Sequence, residues 1–220
     1  MRKFGAFWLA SAIAIAPLPA AASGLDQAEL SIVRQINTFG APTLDVPMRV
    51  LSDNYFLLGA PLALSVVAAP TSFELPVTVL TAELLALGSV GVLKYIVRRP
   101  RPYETDPSLR TPAGTLPYDP YSFPSGHAAV SFAAATVIVH ARPDYAWPAY
   151  GLAALISYSR IYNGVHYPTD ILTGAVLGYG VGKATIWGAD QVQARYGWPA
   201  ASFQLAPAAD FVLGVGHWAF

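Results

Sequence analysis

His166 lies in a polar stretch, "SRIYNGVHYPTD" at 159–170, that interrupts two of the most apolar segments of the chain. The same stretch contains Arg160 and Asp170. Asp170 follows His166 by about one helical turn, and a carboxylate beside a histidine fixes the tautomer of the ring and stabilises its cation. The other ring nitrogen is then free to act as a nucleophile, so we expect His166 and Asp170 to form a reactive pair.

A cluster of cations and the start of an apolar segment together indicate an anion site. Three cations would repel one another unless an anion joined them: Lys94, Arg101 and Arg160. Arginine forks match phosphate oxygens two at a time, and lysine adds a point charge. Ser125, Gly126 and His127 open a helix whose first backbone N–H groups form an anion seat, and Gly126 lets the backbone come close.

Two histidines with different neighbours suggest chemistry in two steps. We expect His166 to attack phosphorus while His127 protonates the departing oxygen, and His127 then to activate water against the phosphohistidine. The cations would supply the charge neutralisation that a metal otherwise supplies. The chain has no cysteine and few carboxylates near these histidines. We therefore expect no metal and no cofactor.

Helix ends must bring these residues together. Prolines and Asn163-Gly164 divide the chain after residue 50 into five apolar blocks, at 55–69, 75–97, 128–140, 146–158 and 171–187. Extension to Ser125 and Pro168 brings blocks three and five closer to the ~20 residues that cross a bilayer. With five crossings, the end of block two, the start of three, the end of four and the start of five face the same side. The candidate residues can then meet there.

The ends of the chain carry other signals. Arg2 and Lys3 precede a short apolar run and an A-x-A site, which predicts a signal peptide over 1–22. An uncleaved anchor is the alternative. Residues 25–39 predict an amphipathic helix on the membrane surface or against the bundle. We divide the rest into a helical membrane domain at 23–190 and a C-terminal tail at 191–220, with a possible short β-hairpin between 203–206 and 211–220.

Composition favours a membrane protein. Hydrophobic residues make up 54% and charged residues 12% of the 220 residues, whereas soluble domains carry about 25% charged residues. The formal net charge is zero, so no basic tract indicates nucleic acid. The expected fold class is all-α, a membrane bundle of about five spanning helices plus the N-terminal amphipathic helix.

Three motifs resemble the signatures of the type-2 phosphatidic acid phosphatase superfamily, which shares its site with bacterial acid phosphatases and vanadium haloperoxidases. They are "K-x6-RP" at 94–102, "PSGH" at 124–127 and "SR-x5-H-x3-D" at 159–170, all complete and in order. "HYPTDILTGAVLG" is similar to the membrane-bound lipid phosphatase branch. The resemblance implies an all-helical bundle in which His166 is the nucleophile, Asp170 orients it and His127 is the acid. It also implies phosphate-binding roles for Lys94, Arg101, Ser125, Gly126 and Arg160.

The expected function is that of a lipid phosphate or pyrophosphate phosphatase in a bacterial inner membrane, multi-pass, with its site facing the periplasm. Its partners would be the membrane and a phosphorylated lipid, without nucleic acid; the oligomeric state stays open. One alternative is a soluble secreted acid phosphatase or a vanadate-dependent haloperoxidase, which would have shorter apolar runs. The other is a non-catalytic anion-binding membrane protein, which would not need both histidines. The lipid, and the choice between water and another acceptor, stay open.

Three further charged residues lie close to the motifs. We interpret Arg98 and Arg99 as interfacial charges that anchor a helix end. Glu83 lies inside block two, where a charge is costly. Because eleven residues separate it from Lys94, both should lie on nearly the same helix face, so we expect Glu83 to face the bundle interior.

Overall fold

The computed structural model describes residues 24–70, 73–112, 117 and 119–196. These residues form eight α-helices and one 3-10 turn, Pro143–Tyr145, without a β-strand. The helices are α1 (Gly24–Thr38), α2 (Asp45–Leu51), α3 (Asn54–Ala68), α4 (Glu74–Val97), α5 (Pro102–Thr105), α6 (Gly126–Ala141), α7 (Ala146–Tyr162) and α8 (Pro168–Tyr196). The prediction of an all-α fold is confirmed.

The five predicted blocks correspond to α3, α4, α6, α7 and α8. α3 and α4 begin and end within one residue of the predicted bounds, and α6 and α8 begin near the extended starts at Ser125 and Pro168. α7 and α8 continue beyond their predicted ends, to Tyr162 and Tyr196. The short helices α2 and α5 were not predicted. The predicted signal peptide and the possible C-terminal hairpin lie outside the described residues.

A stripe of glycines brings α8 into close contact with α6. Gly174, Gly178 and Gly182 recur every fourth residue and are buried on the face that α8 turns to α6. A Cβ atom at Gly178 would lie 2.1 Å from the carbonyl oxygen of Ala129, so only glycine fits there. Small residues at this spacing allow helix backbones to approach closely in membrane proteins. The contact places the starts of α6 and α8 side by side, where the Ser125 N–H donates to the Asp170 carbonyl at 3.0 Å.

α4 forms a second wall of the core and also an apolar outer surface. It buries Val79, Ala82 and Ala86 against the other helices, while Leu84 and Leu85 on its opposite side are exposed. Within the described ranges, one segment, Glu74–Thr105, is long and apolar enough to cross a bilayer; the bent pair α2 and α3, with a 69° break, makes a second if it counts as one span. The number of five crossings stays a prediction.

α1 packs against the bundle through one apolar face and leaves other apolar residues exposed. It buries Leu30 and Val33 in a small cluster with residues that follow α5 and flank α8. Leu25, Ile32 and Phe39, which lie seven residues apart, are exposed. α1 therefore has an apolar ridge that faces away from the bundle.

Glu83 faces the interior of the bundle, as predicted. Its side chain is fully buried, and neither carboxyl oxygen has a hydrogen-bond partner among the described residues.

Candidate active site

A cavity of about 510 Å³ lies where α4 ends, α6 begins and α7 leads into α8. Six of the eight predicted site residues line it: Lys94, Arg101, Gly126, His127, Arg160 and His166. The other two, Ser125 and Asp170, are completely buried and contact residues of that wall. The two histidines therefore share one cavity, as the order of the helix ends predicted.

His166 is held between a carboxylate and an arginine in the loop that joins α7 to α8. Its Nδ1 atom lies 3.4 Å from Oδ2 of Asp170, and its Nε2 atom lies 3.5 Å from a guanidinium nitrogen of Arg101. The same Asp170 oxygen accepts a shorter bond, 2.8 Å, from the Tyr167 backbone N–H. Burial, together with the charges of Arg101 and Lys94, holds the pKa of His166 well below its usual value. The ring is therefore neutral at pH 7, which is the state in which Nε2 can act as a nucleophile.

Arg99 holds the other oxygen of Asp170, which corrects its interpretation as an interfacial anchor. Its guanidinium donates to Asp170 Oδ1 at 2.8 Å and to Glu29 Oε2 at 2.7 Å. It also bonds Asp26 and stacks on the Tyr167 ring at 3.9 Å from the centroid. Charged groups out of water need such partners, so Arg99 neutralises two buried carboxylates that face each other. Arg98, one residue earlier, is exposed, as expected of an interfacial charge.

Glu29 extends this network from α1 to the start of α8. Its carboxylate accepts from the Thr169 backbone N–H at 2.7 Å and from the Thr169 hydroxyl at 3.0 Å. Carboxylates at the start of a helix satisfy N–H groups that have no partner within the helix. α1 thereby fixes the first turn of α8, which carries Asp170.

His127 and Arg160 share a partner on the other side of the cavity. The Ser52 carbonyl oxygen lies 2.9 Å from His127 Nε2 and accepts from Arg160 at 3.1 Å. Arg160 also donates to the Ser52 hydroxyl, while its Nε atom is buried without a hydrogen-bond partner among the residues that the structure describes. Because a carbonyl oxygen only accepts, this contact requires the proton of neutral His127 to be on Nε2.

The N-terminus of α6 forms the floor of the cavity. The Ser125 hydroxyl caps the helix by accepting from the Ala128 N–H at 3.4 Å. A Cβ atom at Gly126 would meet only Val90, at an ordinary 3.7 Å. Packing therefore does not require glycine at 126, in contrast to the stripe on α8.

Lys94 and Arg101 converge on a residue that the sequence did not single out, Asp119. Its Oδ1 atom accepts from Lys94 Nζ at 2.8 Å and from an Arg101 guanidinium nitrogen at 2.9 Å. Lys94 also donates to the Tyr121 carbonyl, and Arg101 to the Val165 carbonyl at 2.9 Å. Asp119 lines the same cavity. It belongs to the long 98–124 connection. The sequence signal that could have indicated Asp119 is the presence of acidic residues in a connection that also contains the cations.

Ser52 and Glu29 were missed for a similar reason. Each contacts the site through tertiary structure, across 75 residues for Ser52 with His127 and 140 for Glu29 with Thr169.

No group of three or more potential metal-ligating side chains occurs in the part of the chain that the structure describes.

Comparisons with known proteins place this arrangement in context. A sequence model described as the PAP2 superfamily matches residues 75–193. An undecaprenyl-diphosphatase from Sulfolobus acidocaldarius is 33% identical over 109 residues, which are 48% of this chain and 50% of the relative. The chain therefore spans about half the length of that relative.

Two solved structures have the same fold. The crystal structure of Aquifex aeolicus LpxE is 30% identical with a TM-score of 0.58, and the match covers 72% of this chain and 94% of that one. A PAP2-type phosphatidylglycerolphosphate phosphatase from Bacillus subtilis has a TM-score of 0.59 at 21% identity, over 78% of this chain and 89% of that one. At this identity the second likeness concerns the fold alone.

Proposed function

We propose, because the chain belongs to the PAP2 superfamily, that it is a membrane-bound phosphatase that hydrolyses a lipid phosphomonoester or diphosphate through a phosphohistidine. The observation that carries this proposal is the shared cavity, in which two histidines and three cations surround one space. The Nδ1 atom of His166 lies beside the Asp170 carboxylate, and its Nε2 atom faces Arg101. A pure binding site would not need a histidine prepared in this way.

The cations bind and neutralise the phosphoryl group. The buried Nε atom of Arg160, which has no partner in the described part of the chain, can donate to a phosphate oxygen, and Lys94 and Arg101 add two further charges. The backbone N–H groups at the start of α6 point along the helix axis toward an anion and add the positive end of the helix dipole. Because these donors are fixed before substrate arrives, they stabilise the extra negative charge of the transition state without reorganisation.

The first step transfers the phosphoryl group to the protein. His166 Nε2 forms a bond to phosphorus while the bond from phosphorus to the lipid oxygen breaks, and Asp170 stabilises the resulting charge on the imidazole. The departing oxygen takes the Nδ1 proton of doubly protonated His127, a form of the ring that the bound phosphate anion stabilises. For a diphosphate the departing group is the lipid monophosphate, and for a monoester it is the lipid alcohol.

The second step returns the protein to its starting state. Water attacks phosphorus, His127 takes the proton of the water, and the bond from phosphorus to His166 breaks to release inorganic phosphate. The Ser52 carbonyl shapes this role, because it holds one proton on Nε2 of His127. His127 therefore gives and takes the exchanged proton at Nδ1, and Ser52 stabilises the doubly protonated ring.

A lipid substrate suits the walls of the cavity and the outside of the bundle. Beside the charged residues, the cavity is lined by Leu57, Leu87 and Val90 on α3 and α4. Large apolar side chains are exposed along the outer faces of α3, α4, α7 and α8. A bilayer would cover such faces, since soluble proteins rarely expose apolar surface on that scale. These faces support a membrane location, and we propose a bacterial inner membrane in which the protein is multi-pass and the cavity faces the periplasm.

Replacement of His166 by alanine tests the nucleophile. His166→Ala in the detergent-solubilised protein should abolish phosphate release, because it removes the ring nitrogen that attacks phosphorus. His140→Ala is the matched control, since His140 is exposed at the other end of α6. A radiolabelled phosphoryl group trapped on the unaltered protein should be labile in acid and stable in base. Full turnover by His166→Ala would remove the proposed mechanism.

The substrate can be identified with a panel of purified lipids. Phosphatidylglycerol phosphate, phosphatidic acid, undecaprenyl pyrophosphate and lipid A phosphate all carry the group that this cavity would bind. Because the chain is similar to an undecaprenyl-diphosphatase, the polyprenyl diphosphate should be tested first. Phosphate release from none of them by protein that still binds inorganic phosphate would favour an anion-binding protein instead.

The orientation in the membrane can be tested by labelling single cysteines, because the chain contains none. Pro107 lies in the connection that follows α5 and Ala141 at the far end of α6 from the cavity, and both positions are exposed. A membrane-impermeant maleimide should label Pro107→Cys in intact spheroplasts and Ala141→Cys only after lysis. The reverse pattern would place the cavity on the cytoplasmic side.

A further inference from the structure

One oxygen atom of Asp119 collects the donors that a phosphate would use. Oδ1 accepts from Lys94 at 2.8 Å, from Arg101 at 2.9 Å and from the Tyr121 backbone N–H at 3.3 Å. Arg101 also reaches the Asp119 carbonyl oxygen, at 3.1 Å. A carboxylate oxygen and a phosphoryl oxygen are both anionic acceptors, so they compete for the same donors.

The cations are fixed, and the carboxylate is the exposed partner. Side-chain exposure is 0% for Arg101 and 7% for Lys94, but 41% for Asp119. Although partial burial raises the pKa of Asp119, the hydrogen bond and charge of Lys94 and the charge of Arg101 hold it below its usual value. The carboxylate is therefore ionised at pH 7 and lies at the solvent side of the cation pair.

We infer that Asp119 occupies the position of a substrate phosphoryl oxygen in the ligand-free protein, and that the phosphate group must displace it from Lys94 and Arg101 to bind. This inference rests on the proposed phosphatase function. A phosphomonoester dianion carries more charge and more acceptor oxygens than one carboxylate, so it can replace the carboxylate at both cations. Asp119 thus lowers the affinity of the site for every phosphate ligand.

Displacement raises the free energy of all phosphate-bound states equally. Compared with a site that lacks this carboxylate, the KM for the lipid and the inhibition constant for inorganic phosphate should therefore be higher by the same factor. The value of kcat should be the same in both. A lipid can offset this cost by burying its chain against the apolar wall of α3 and α4, whereas inorganic phosphate cannot. Asp119 therefore keeps free phosphate, the product, from occupying the site.

A permanent positioning role would have the opposite consequences. If Asp119 held Lys94 and Arg101 in place for the substrate, its loss would weaken phosphate binding or lower kcat. The two roles are thus distinguished by the sign of a single change.

Asp119→Asn in the full-length detergent-solubilised protein is the decisive variant. It removes the negative charge and keeps the shape. Because hydrogen bonds to charged groups are the strong ones, we expect the KM for the lipid and the dissociation constant for inorganic phosphate to fall together by about tenfold or more. Kinetics give the first constant and isothermal titration with inorganic phosphate gives the second.

Asp106→Asn is the matched control. Asp106 belongs to the same connection and pairs with Arg34 at 2.6 Å, away from the cavity. The Asp106→Asn substitution should leave the KM for the lipid and the dissociation constant for inorganic phosphate unchanged. Asp119→Ala repeats the measurements with a variant that cannot hydrogen-bond, and thermal unfolding verifies that each variant is folded.

The outcomes separate this inference from the proposed function. Weaker phosphate binding in Asp119→Asn, or a lower kcat at unchanged KM, would contradict the inference that phosphate displaces Asp119. An unaltered protein that releases phosphate from no lipid would contradict the proposed function, while titration with inorganic phosphate would still decide whether Asp119 competes for the cations.

Discussion

Arg99→Gln should impair catalysis although Arg99 does not line the cavity. The substitution removes the cation that joins Asp170 to Glu29, at 2.8 and 2.7 Å. Asp170, which orients His166, then lies beside a second carboxylate without a neutralising charge. The predicted defect is therefore a misplaced or protonated Asp170 and a poorly oriented His166.

The size of the effect follows from burial. The side chains of Asp170 and Glu29 are 0% and 5% exposed, and that of Arg99 is 10% exposed. Loss of one partner of a buried pair costs about 3–5 kcal/mol. Because Arg99 retains some solvent contact, we expect about 3 kcal/mol, which for a chain of this length lowers the unfolding temperature by roughly 6 to 12 °C. A loss of one or two kcal/mol in the orientation of His166 would lower kcat about 5- to 30-fold.

The assay measures kcat, KM and thermal unfolding on detergent-solubilised protein. KM should change little, since Arg99 does not touch the substrate in the proposed mechanism. Arg98→Gln removes the same charge from the preceding residue, which is exposed, and should behave like the unaltered protein. Arg99→Lys should be intermediate, because lysine restores the charge but not the fork.

A second substitution distinguishes electrostatics from general damage. In Arg99→Gln, the additional change Glu29→Gln removes one of the two opposed carboxylates and should recover part of the lost stability. Equal kcat and equal unfolding temperature for Arg99→Gln and Arg98→Gln would refute the reasoning, and so would a double variant that is less stable than Arg99→Gln.

Three further predictions concern packing, the phosphate seat and pH. Gly178→Ala should destabilise the fold by about 1–3 kcal/mol or more, as overpacked cores do, whereas Gly180→Ala, where a Cβ atom meets nothing within 4 Å, should be neutral or slightly stabilising; thermal unfolding of both compares them. Gly126→Ala should fold normally, because its Cβ atom has room, yet should bind inorganic phosphate more weakly by titration if the backbone there approaches the ligand. The low pKa of His166 keeps its ring neutral on mild acidification, so the acidic limb of kcat/KM should lie below about pH 6.5. Lys94→Met removes a cation that opposes ring protonation and should move that limb upward; an unchanged limb would contradict the electrostatic account.

The sequence was sufficient to predict the long helices and the face at which the site forms. Apolar blocks between prolines determine where helices run, and the alternation of chain direction determines which ends share a side. The predicted ends of α7 and α8 were too early because both helices continue through polar residues, to Tyr162 and Tyr196. Hydropathy alone does not register such continuations.

Arg99 shows why neighbouring charges could not be told apart. α4 ends at Val97, and Arg98 adopts a left-handed conformation with φ of 54°. The helix ends there, and Arg98 stays in solvent while Arg99 contacts Asp170 and Glu29 inside the bundle. No local pattern in "VRRPRP" encodes this difference. The contacts of Ser52 were likewise inaccessible, because they depend on distant segments meeting in space.

The glycine contact between α6 and α8 has a consequence for how such a protein can diversify. The distance between the loop of His166 and the seat at Gly126 is set mainly by main-chain contacts of Gly174 and Gly178, which leave few side chains whose exchange could tune it. Variation that would widen or reshape the pocket is thereby directed to the opposite side, to the α2–α3 bend and the connection that carries Asp119. One half of the pocket can keep its chemistry while the other half adapts to a new headgroup.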